Sequence, residues 1–418
     1  MQLTGTRPAG RPAATRSPAP PQQPDWDDHP DLERIRGELA AARGLVTAEE
    51  VAAARRALAS VARGSARALQ AGDCAEGFAD SGRPRTRAKA AALGGLAGHV
   101  SRRVGEDVVL FARMAGQYAK PRSHGTETLD GAELPVYRGD LVNSPAADAA
   151  SRRHDPHRML RAYRAGAEVL DALRDHHRDH HGDGDRDGRT GARGERQGEE
   201  QGPKERGPWV CHEALVLDYE EPQLRVDPLT GGTYLSSTHF PWVGARTRQP
   251  DGAHVRLLAS VGNPVGCKIG PSADPQSVVR LCEALDPDRE PGRLTLIVRM
   301  GRAALPELLP DVVRHVRRAG HPVVWLSDPM HGNTVRTRSG LKTRHLDDMI
   351  EEARCFVRVL EGARLHPGGL HLEVADHEVT ECVGGPVRDE SALAARYESL
   401  CDPRLGPEQA RQLVDAVL

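Results

Sequence analysis

The segment Ser327-Asp328-Pro329-Met330-His331-Gly332-Asn333-Thr334 gathers a carboxylate, an imidazole, an amide and hydroxyls within eight residues. It follows an apolar run, Pro322-Val323-Val324-Trp325-Leu326, that reads as a buried strand. Polar side chains placed where a strand ends are where α/β barrels keep their chemistry. Two more segments have the same character. Residues 69–76 bring Cys74 after an Ala-rich stretch, and residues 369–374 form a short strand carrying Glu373. With Asp402, in Cys401-Asp402-Pro403, these residues make a set of one sulfur, one nitrogen and two oxygen donors: Cys74, His331, Glu373 and Asp402. That set suits Mn²⁺, Co²⁺, Zn²⁺ or Fe²⁺ more than Ca²⁺ or Mg²⁺. Singly the signals are weak. A lone cysteine is more often a small buried hydrophobe, and an aspartate before proline is often a turn residue. Glu373 is the hardest to dismiss, because an inward carboxylate on a strand is costly unless paired or bound to a metal.

Basic residues at other strand ends form a second constellation. Arg113 and Lys120 flank Met114-Ala115-Gly116-Gln117-Tyr118-Ala119, directly after the apolar run 108–112, and Arg122 and Ser123 follow. Arg246 and Arg248 sit in GARTR, Lys268 closes the run PVGC ahead of Gly270-Pro271-Ser272, and Arg299 ends the run 294–298. Cations converging at one barrel mouth would hold more than one anionic group, with arginine offering bidentate forks for carboxylate and phosphate. Glycine neighbours let backbone N–H groups approach phosphate oxygens as well. Lysine is scarce, at positions 89, 120, 204, 268 and 342 only, so each lysine in a motif is more telling than an arginine. No P-loop or dinucleotide glycine pattern occurs, which argues against a nucleotide enzyme.

These residues need a scaffold that brings distant strand ends together. Strand-like runs at 108–112, 214–218, 264–269, 294–298, 322–326 and 369–374 alternate with helical patterns at 275–285, 304–318 and 346–362. Alternation of this kind predicts parallel βα units, and their number approaches an α/β fold of the (β/α)8 TIM-type barrel class. Residues 31–68 predict an N-terminal helical extension of two helices, with Thr47 as an N-cap and Glu49-Glu50 in the first turn. Residues 1–30, rich in Pro, Ala, Thr and Arg, predict a disordered tail. Residues 31–418 are read as one barrel domain, interrupted by a flexible, low-complexity insert at 174–207. Its His176-His177 and His180-His181 pairs read as solvated rather than metal-binding.

Net charge is −2 over 418 residues, which gives no reason to expect a nucleic-acid or membrane partner. No apolar run approaches 18 residues and the N-terminus lacks a signal pattern, so the expected location is cytoplasmic. Seven scattered cysteines fit free thiols better than a disulfide framework.

The longer motifs resemble the class II 3-deoxy-D-arabino-heptulosonate 7-phosphate (DAHP) synthase family. They include LQAGDCAEGF (69–78), ARMAGQYAKPRS (112–123), CHEALVLDYE (211–220), NPVGCKIGPS (263–272), PVVWLSDPMHGNT (322–334), GLKTRHLD (340–347), HPGGLHLEV (366–374) and RYESLCDPRL (396–405). The resemblance covers about 35–145 and 209–418. It implies a barrel enzyme that joins phosphoenolpyruvate to erythrose 4-phosphate with a divalent metal, Mn²⁺ first among Co²⁺, Zn²⁺ and Fe²⁺. By the same resemblance, Cys74, His331, Glu373 and Asp402 are the metal ligands. Arg113, Arg246, Lys268 and Arg299 contact phosphoenolpyruvate, and Lys120, Arg122 and Ser123 hold the aldose phosphate. Lys268 also takes a catalytic role at the phosphoenolpyruvate anion. A homo-oligomer is implied, with chorismate mutase as a candidate partner.

Two departures from the family pattern stand out. Ala245 replaces a glutamate that helps hold the attacking water, a role Glu213 would take over as a catalytic residue. The charged run 174–207 stands where the family has an inward barrel strand and a helical insertion, which predicts a gap in the barrel wall. Two rival readings follow. One is an amino-DAHP synthase using imino-erythrose 4-phosphate; the other is a non-catalytic homologue that binds a partner.

Overall fold

A computed structural model describes residues 19–26, 28–129, 131–181 and 209–418, with no side chains described at 179–181. The predicted N-terminal helices are α1 (Leu32–Ala41) and α2 (Ala48–Ala62). Thr47 caps α2 as expected: its hydroxyl accepts from Glu50 N–H while the Glu50 carboxylate accepts from Thr47 N–H. Such reciprocal capping satisfies two backbone donors that the first turn leaves without partners. The extension ends at residue 62 rather than 68, because Ala66–Gly72 is already the first barrel strand.

Eight parallel strands close into a barrel: β1 (Ala66–Gly72), β2 (Asp107–Arg113), β3 (Trp209–Glu213), β4 (Phe240–Val243), β5 (Val265–Ile269), β6 (Leu294–Val298), β7 (Val324–Ser327) and β8 (Gly369–Glu373). The helices that follow them in turn are α3 (Arg83–Val104), α4 (His157–His181), α5 (Ala253–Ala259), α6 (Pro275–Leu285), α7 (Leu305–Arg318), α8 (Leu346–Gly362) and α9 (Pro407–Val417). A short helix, Leu217–Glu220, and an antiparallel hairpin stand between β3 and β4. Every strand therefore returns through a crossover, as parallel pairing requires. Closure leaves no free sheet edge, and the interior is packed with Phe111, Phe240, Trp242, Ile297 and Leu326. Each such side chain, fully buried, contributes roughly 1.5–3 kcal/mol of transfer free energy.

The predicted helix 275–285 and the runs 264–269, 294–298, 322–326 and 369–374 match the observed elements within two residues. Three expectations are corrected. The wall has no gap: Trp209–Glu213 is its third strand, pairing Phe111 with Trp209 on one side and Cys211 with Phe240 on the other. The strand expected at 214–218 is instead the loop after β3 and the start of the short helix, with Leu215 and Val216 packed on Trp26, Ile35 and Leu39. The insert read as loop from 174 begins as helix, since α4 runs to His181. Arg174 makes a two-pronged ion pair with Glu50 of the α2 cap. The rest of that insert, 182–207, lies outside the described residues.

Part of the expected tail is also folded. Trp26 is buried, its indole donating to Asp218, and Gln22 and Gln23 bond loops after β2 and β3. Residues 1–18 lie outside the described residues. All seven cysteines are free and buried. Among the described residues no helix is long and apolar enough to cross a membrane.

Candidate active site

Strand register sets the first layer of the site. Gly72 at the end of β1 lies level with Arg113 on β2 and with Glu373 on β8. Gly72 adopts φ +141, and a Cβ there would come within 2.9 Å of Arg113 O. Only glycine permits that approach, and the chain then turns so that Cys74 faces the mouth. Asp73 is anchored behind it by Lys89 and by Arg404, the latter at 2.8 Å.

The four expected metal ligands meet here. One ligand atom each from Cys74, Glu373 and Asp402 lies within 4.8 Å of the others. His331 Nε2 is 3.1 Å from Glu373 Oε1. His331 is oriented from behind: its Nδ1 lies 2.8 Å from Asp328 Oδ2, the carboxylate–imidazole pairing that commonly fixes a metal-binding ring. A sulfur, an imidazole nitrogen and two carboxylates on separate segments are a donor set that fits a divalent transition metal.

Glu373 is fully buried and surrounded by positive charge. Arg344 Nη1 is 2.9 Å from Oε2, and Arg113 Nη2 and Lys120 Nζ are 3.1 and 3.4 Å from Oε1. Burial works to raise its pKa, but His331, Lys120 and Arg344 hold it well below the usual carboxylate range. Asp402 is lowered too: burial opposes ionisation, but Lys120, Lys342 and Arg344 favour it. Both carboxylates are thus ionised and ready to accept a cation. Burial pushes the Cys74 thiol up.

The loop after β2 is held by Glu76, whose carboxylate accepts from the N–H groups of Ala115, Gly116 and Gln117 at 2.7–2.9 Å. That nest fixes the turn, with Ala115 at φ +65, and delivers Lys120 to the ligands. Arg113 also reaches the site, but each of its three nitrogens already faces a protein partner: Asp73 O, His371 Nε2, and Cys74 O with Glu373.

Lys268 is buried 2.9 Å from Asp328 Oδ2. Burial lowers its pKa more than Asp328 raises it. Arg299 donates to His331 O at 2.7 Å, and its Nε is buried with no protein partner among the described residues. A Cβ on Gly270 would sit 3.3 Å from Arg299 Nη1, so the Gly-Pro-Ser turn borders this cation. The exposed Arg246 donates to Ser123 Oγ at 2.6 Å, joining the β4 loop to the KPRS segment. Arg122 is part of that segment and pairs with Glu127 at 3.2 Å. The cations expected for two anions thus border one mouth.

Glu213, on the end of β3, packs against Gly244: a Cβ on that glycine would be 2.0 Å from its Oε1. Its carboxylate therefore stands beside the residue preceding Ala245. Oε1 is buried with no protein partner among the described residues.

The four described lysines, 89, 120, 268 and 342, all pair with site carboxylates. The sequence reading missed Arg344, fully buried against Glu373, and His371, deep in the barrel beside Gln70 and Arg113. Lys342 was not singled out either, although the scarcity of lysine was a signal that could have found it. Nothing comparable marks one arginine among many.

A family model described as the class-II DAHP synthetase family matches residues 11–186 and 189–417. The chain belongs to that family. It is 43% identical over 389 residues to a Pseudomonas fluorescens protein named as a probable phospho-2-dehydro-3-deoxyheptonate aldolase, covering 93% of this chain and 92% of the relative. It is 40% identical to the phospho-2-dehydro-3-deoxyheptonate aldolases of Mycolicibacterium smegmatis and Streptomyces coelicolor, with 94% of this chain and 90% and 93% of those proteins covered. The solved structure of the Francisella tularensis enzyme of that name shares the fold, with a TM-score of 0.52 at 14% identity, covering 92% of this chain and 96% of that one.

Proposed function

We propose that this family member condenses phosphoenolpyruvate with D-erythrose 4-phosphate and water, giving 3-deoxy-D-arabino-heptulosonate 7-phosphate and inorganic phosphate. This is the first step of the shikimate pathway. The observation that carries the reading is the convergence of Cys74, His331 and Asp402 on one buried carboxylate, Glu373, at the mouth of a family barrel. Those four residues would hold a divalent metal, Mn²⁺ in the first instance. When bound, it supplies Lewis-acid polarisation of the aldose carbonyl.

The protein's own groups do the rest. Lys268, Arg299 and Arg246 hold the phosphoenolpyruvate carboxylate and phosphate; Arg113, over the same Trp242 ring as Lys268, pairs with Glu373. Lys120, Arg122 and Ser123 hold the aldose phosphate, with the Arg246–Ser123 contact linking the two substrate segments. Held in this way, C3 of phosphoenolpyruvate attacks the aldehyde carbon. Water then adds at C2 of the oxocarbenium, and phosphate leaves by C–O cleavage. Positioning two anions for attack supplies on the order of 7 kcal/mol. Glu213, whose Oε1 stands beside Gly244 with no partner among the described residues, positions the water and takes its proton.

The test is direct. Enzyme with Mn²⁺ consumes phosphoenolpyruvate only when erythrose 4-phosphate is present, releases one phosphate per heptulosonate formed, and stops on chelation. Turnover of imino-erythrose 4-phosphate alone would overturn the acceptor. No turnover with either sugar would overturn catalysis.

A further inference from the structure

A further cluster of ligand-type side chains, sharing no residue with the Cys74 set, lies between the N-terminal arm and the start of α4. His29 of the N-terminal arm, and Asp155 and His157 at the start of α4, each place one ligand atom within 4.8 Å of the other two. A second carboxylate stands on the other side of the His157 ring: His157 Nε2 is 3.2 Å from Asp31 Oδ2, while its Nδ1 is 3.0 Å from Asp155 Oδ1. The rings of His29 and His157 meet edge to face with centroids 5.2 Å apart. His29 is held in place by Asp31 N–H, which donates to its Nδ1 at 3.2 Å. Asp155 accepts from His157 N–H at 3.0 Å, so the two Asp155–His157 donors are set by one turn.

We propose that His29, Asp155 and His157, with Asp31 orienting the His157 ring from its other nitrogen, form a second divalent transition-metal site that clips the N-terminal arm to α4. Two imidazoles with a carboxylate favour Zn²⁺, Co²⁺ or Ni²⁺ over the hard cations. Ligand atoms about 2.1 Å from a shared tetrahedral ion stand about 3.4 Å apart, so the cluster contracts by at most about 1.4 Å. The side chains can do this, because His29 and Asp155 are half-buried and His157 is exposed. Arg34 Nη2 stands 3.4 Å from His157 Nε2 and opposes a cation, but this arginine is half exposed and also pairs with Asp31 Oδ1 and Glu38. It can turn outward on that side.

The clip would act on the mouth through the arm. Just before His29, Gln22 Oε1 accepts from Arg122 N–H at 2.9 Å, and Gln23 bridges Leu215 O and Leu217 N–H at 2.9 Å each. A metal that fixes the arm would thereby fix the KPRS segment and the loop after β3. With no thiolate ligand, this site binds more weakly than the one at Cys74 and lacks its sulfur-to-metal absorption.

The experiment compares full-length wild type with His29→Ala/His157→Ala. Both carry the histidines of 176–181, so any binding there cancels in the difference. Each is titrated with Zn²⁺ and with Co²⁺, and hydrogen exchange at residues 20–30 is followed with and without Zn²⁺. The expected result is one fewer metal equivalent per chain in the variant, with the thiolate–Co²⁺ band unchanged. Zn²⁺ should slow exchange of the arm in wild type only. Equal stoichiometry in the two proteins, or arm exchange indifferent to Zn²⁺ in wild type, would overturn the proposal.

Discussion

The two halves of the mouth treat charge in opposite ways. Around Glu373, four cationic or imidazole groups lie within 3.4 Å of one buried carboxylate, and Arg344 among them is wholly buried. At the rim, Arg246 is exposed with Ser123 as its side-chain partner, and Arg299 keeps a buried Nε without one among the described residues. A pole that must hold a permanent charge commits its donors internally, since an unpaired buried charge is costly. A rim that must take up and release anions leaves donors over. The difference separates residues whose loss should damage the fold from those whose loss should damage only turnover.

The largest effect should come from breaking the pole. Arg344→Met removes the 2.9 Å partner of Glu373 and leaves that carboxylate undercompensated, which should cost about 3–5 kcal/mol in denaturant unfolding. Arg246→Met, at the exposed rim, should stay within about 0.5 kcal/mol of wild type. Equal losses in the two variants would erase the distinction.

The cations assigned to phosphoenolpyruvate should fail differently. Lys268→Ala and Arg299→Ala should each lower kcat/KM for phosphoenolpyruvate by about 100-fold, the loss of a desolvated charged hydrogen bond. Metal content should stay near that of wild type. Metal loss in Lys268→Ala would move this residue to the pole, through its contact with Asp328.

Glu213 sharpens the picture further. Glu213→Gln should lower kcat by about 100-fold if it gives general-base assistance, with KM for phosphoenolpyruvate little changed. Gly244→Ala tests the same group without touching it, because the added methyl would lie 2.0 Å from Oε1 and must displace the carboxylate. A fast Gly244→Ala enzyme would take the water away from Glu213.

The smallest expected effect is a displaced pH limb. Lys268 is held below its ordinary value of 10.5 by burial. Its positive charge is therefore lost, as pH rises, earlier than for a free lysine. The alkaline limb of kcat/KM should set in below 10.5, and Lys268→Arg should move it upward. A limb unchanged by that substitution would assign it to another group.

Much of this was legible in the sequence, for reasons that differ by region. The helical pattern at 275–285 is α6, where Asp274 is the N-cap, Pro275 stands in the first turn and Val278, Leu281, Cys282 and Leu285 are buried. The run Leu294–Val298 is buried on both faces, so its continuous apolar pattern reads directly as a strand. Strand β3 was hidden because its last residues, His212 and Glu213, are polar and serve the interior, while the apolar residues just after it cover Trp26 instead. Strand β1 is rich in alanine and reads as helix. The charged end of α4 carries little apolar signal after Leu173; a tertiary ion pair, Arg174 with Glu50, is made there. The candidate metal ligands could be picked out because cysteine, histidine and paired carboxylates are uncommon at strand ends. The arginines that balance them were not, because one arginine looks like another until the fold buries it.

The central claim is that Cys74, His331, Glu373 and Asp402 hold the metal on which condensation depends. The most direct measurement is metal content and heptulosonate formation in Cys74→Ser beside wild type, each reconstituted with Mn²⁺ and desalted. A hydroxyl is a far poorer ligand than a thiolate. The variant should therefore hold one metal fewer per chain and form no product above background. Cys74→Ser with the wild-type metal content and the wild-type rate would contradict the account.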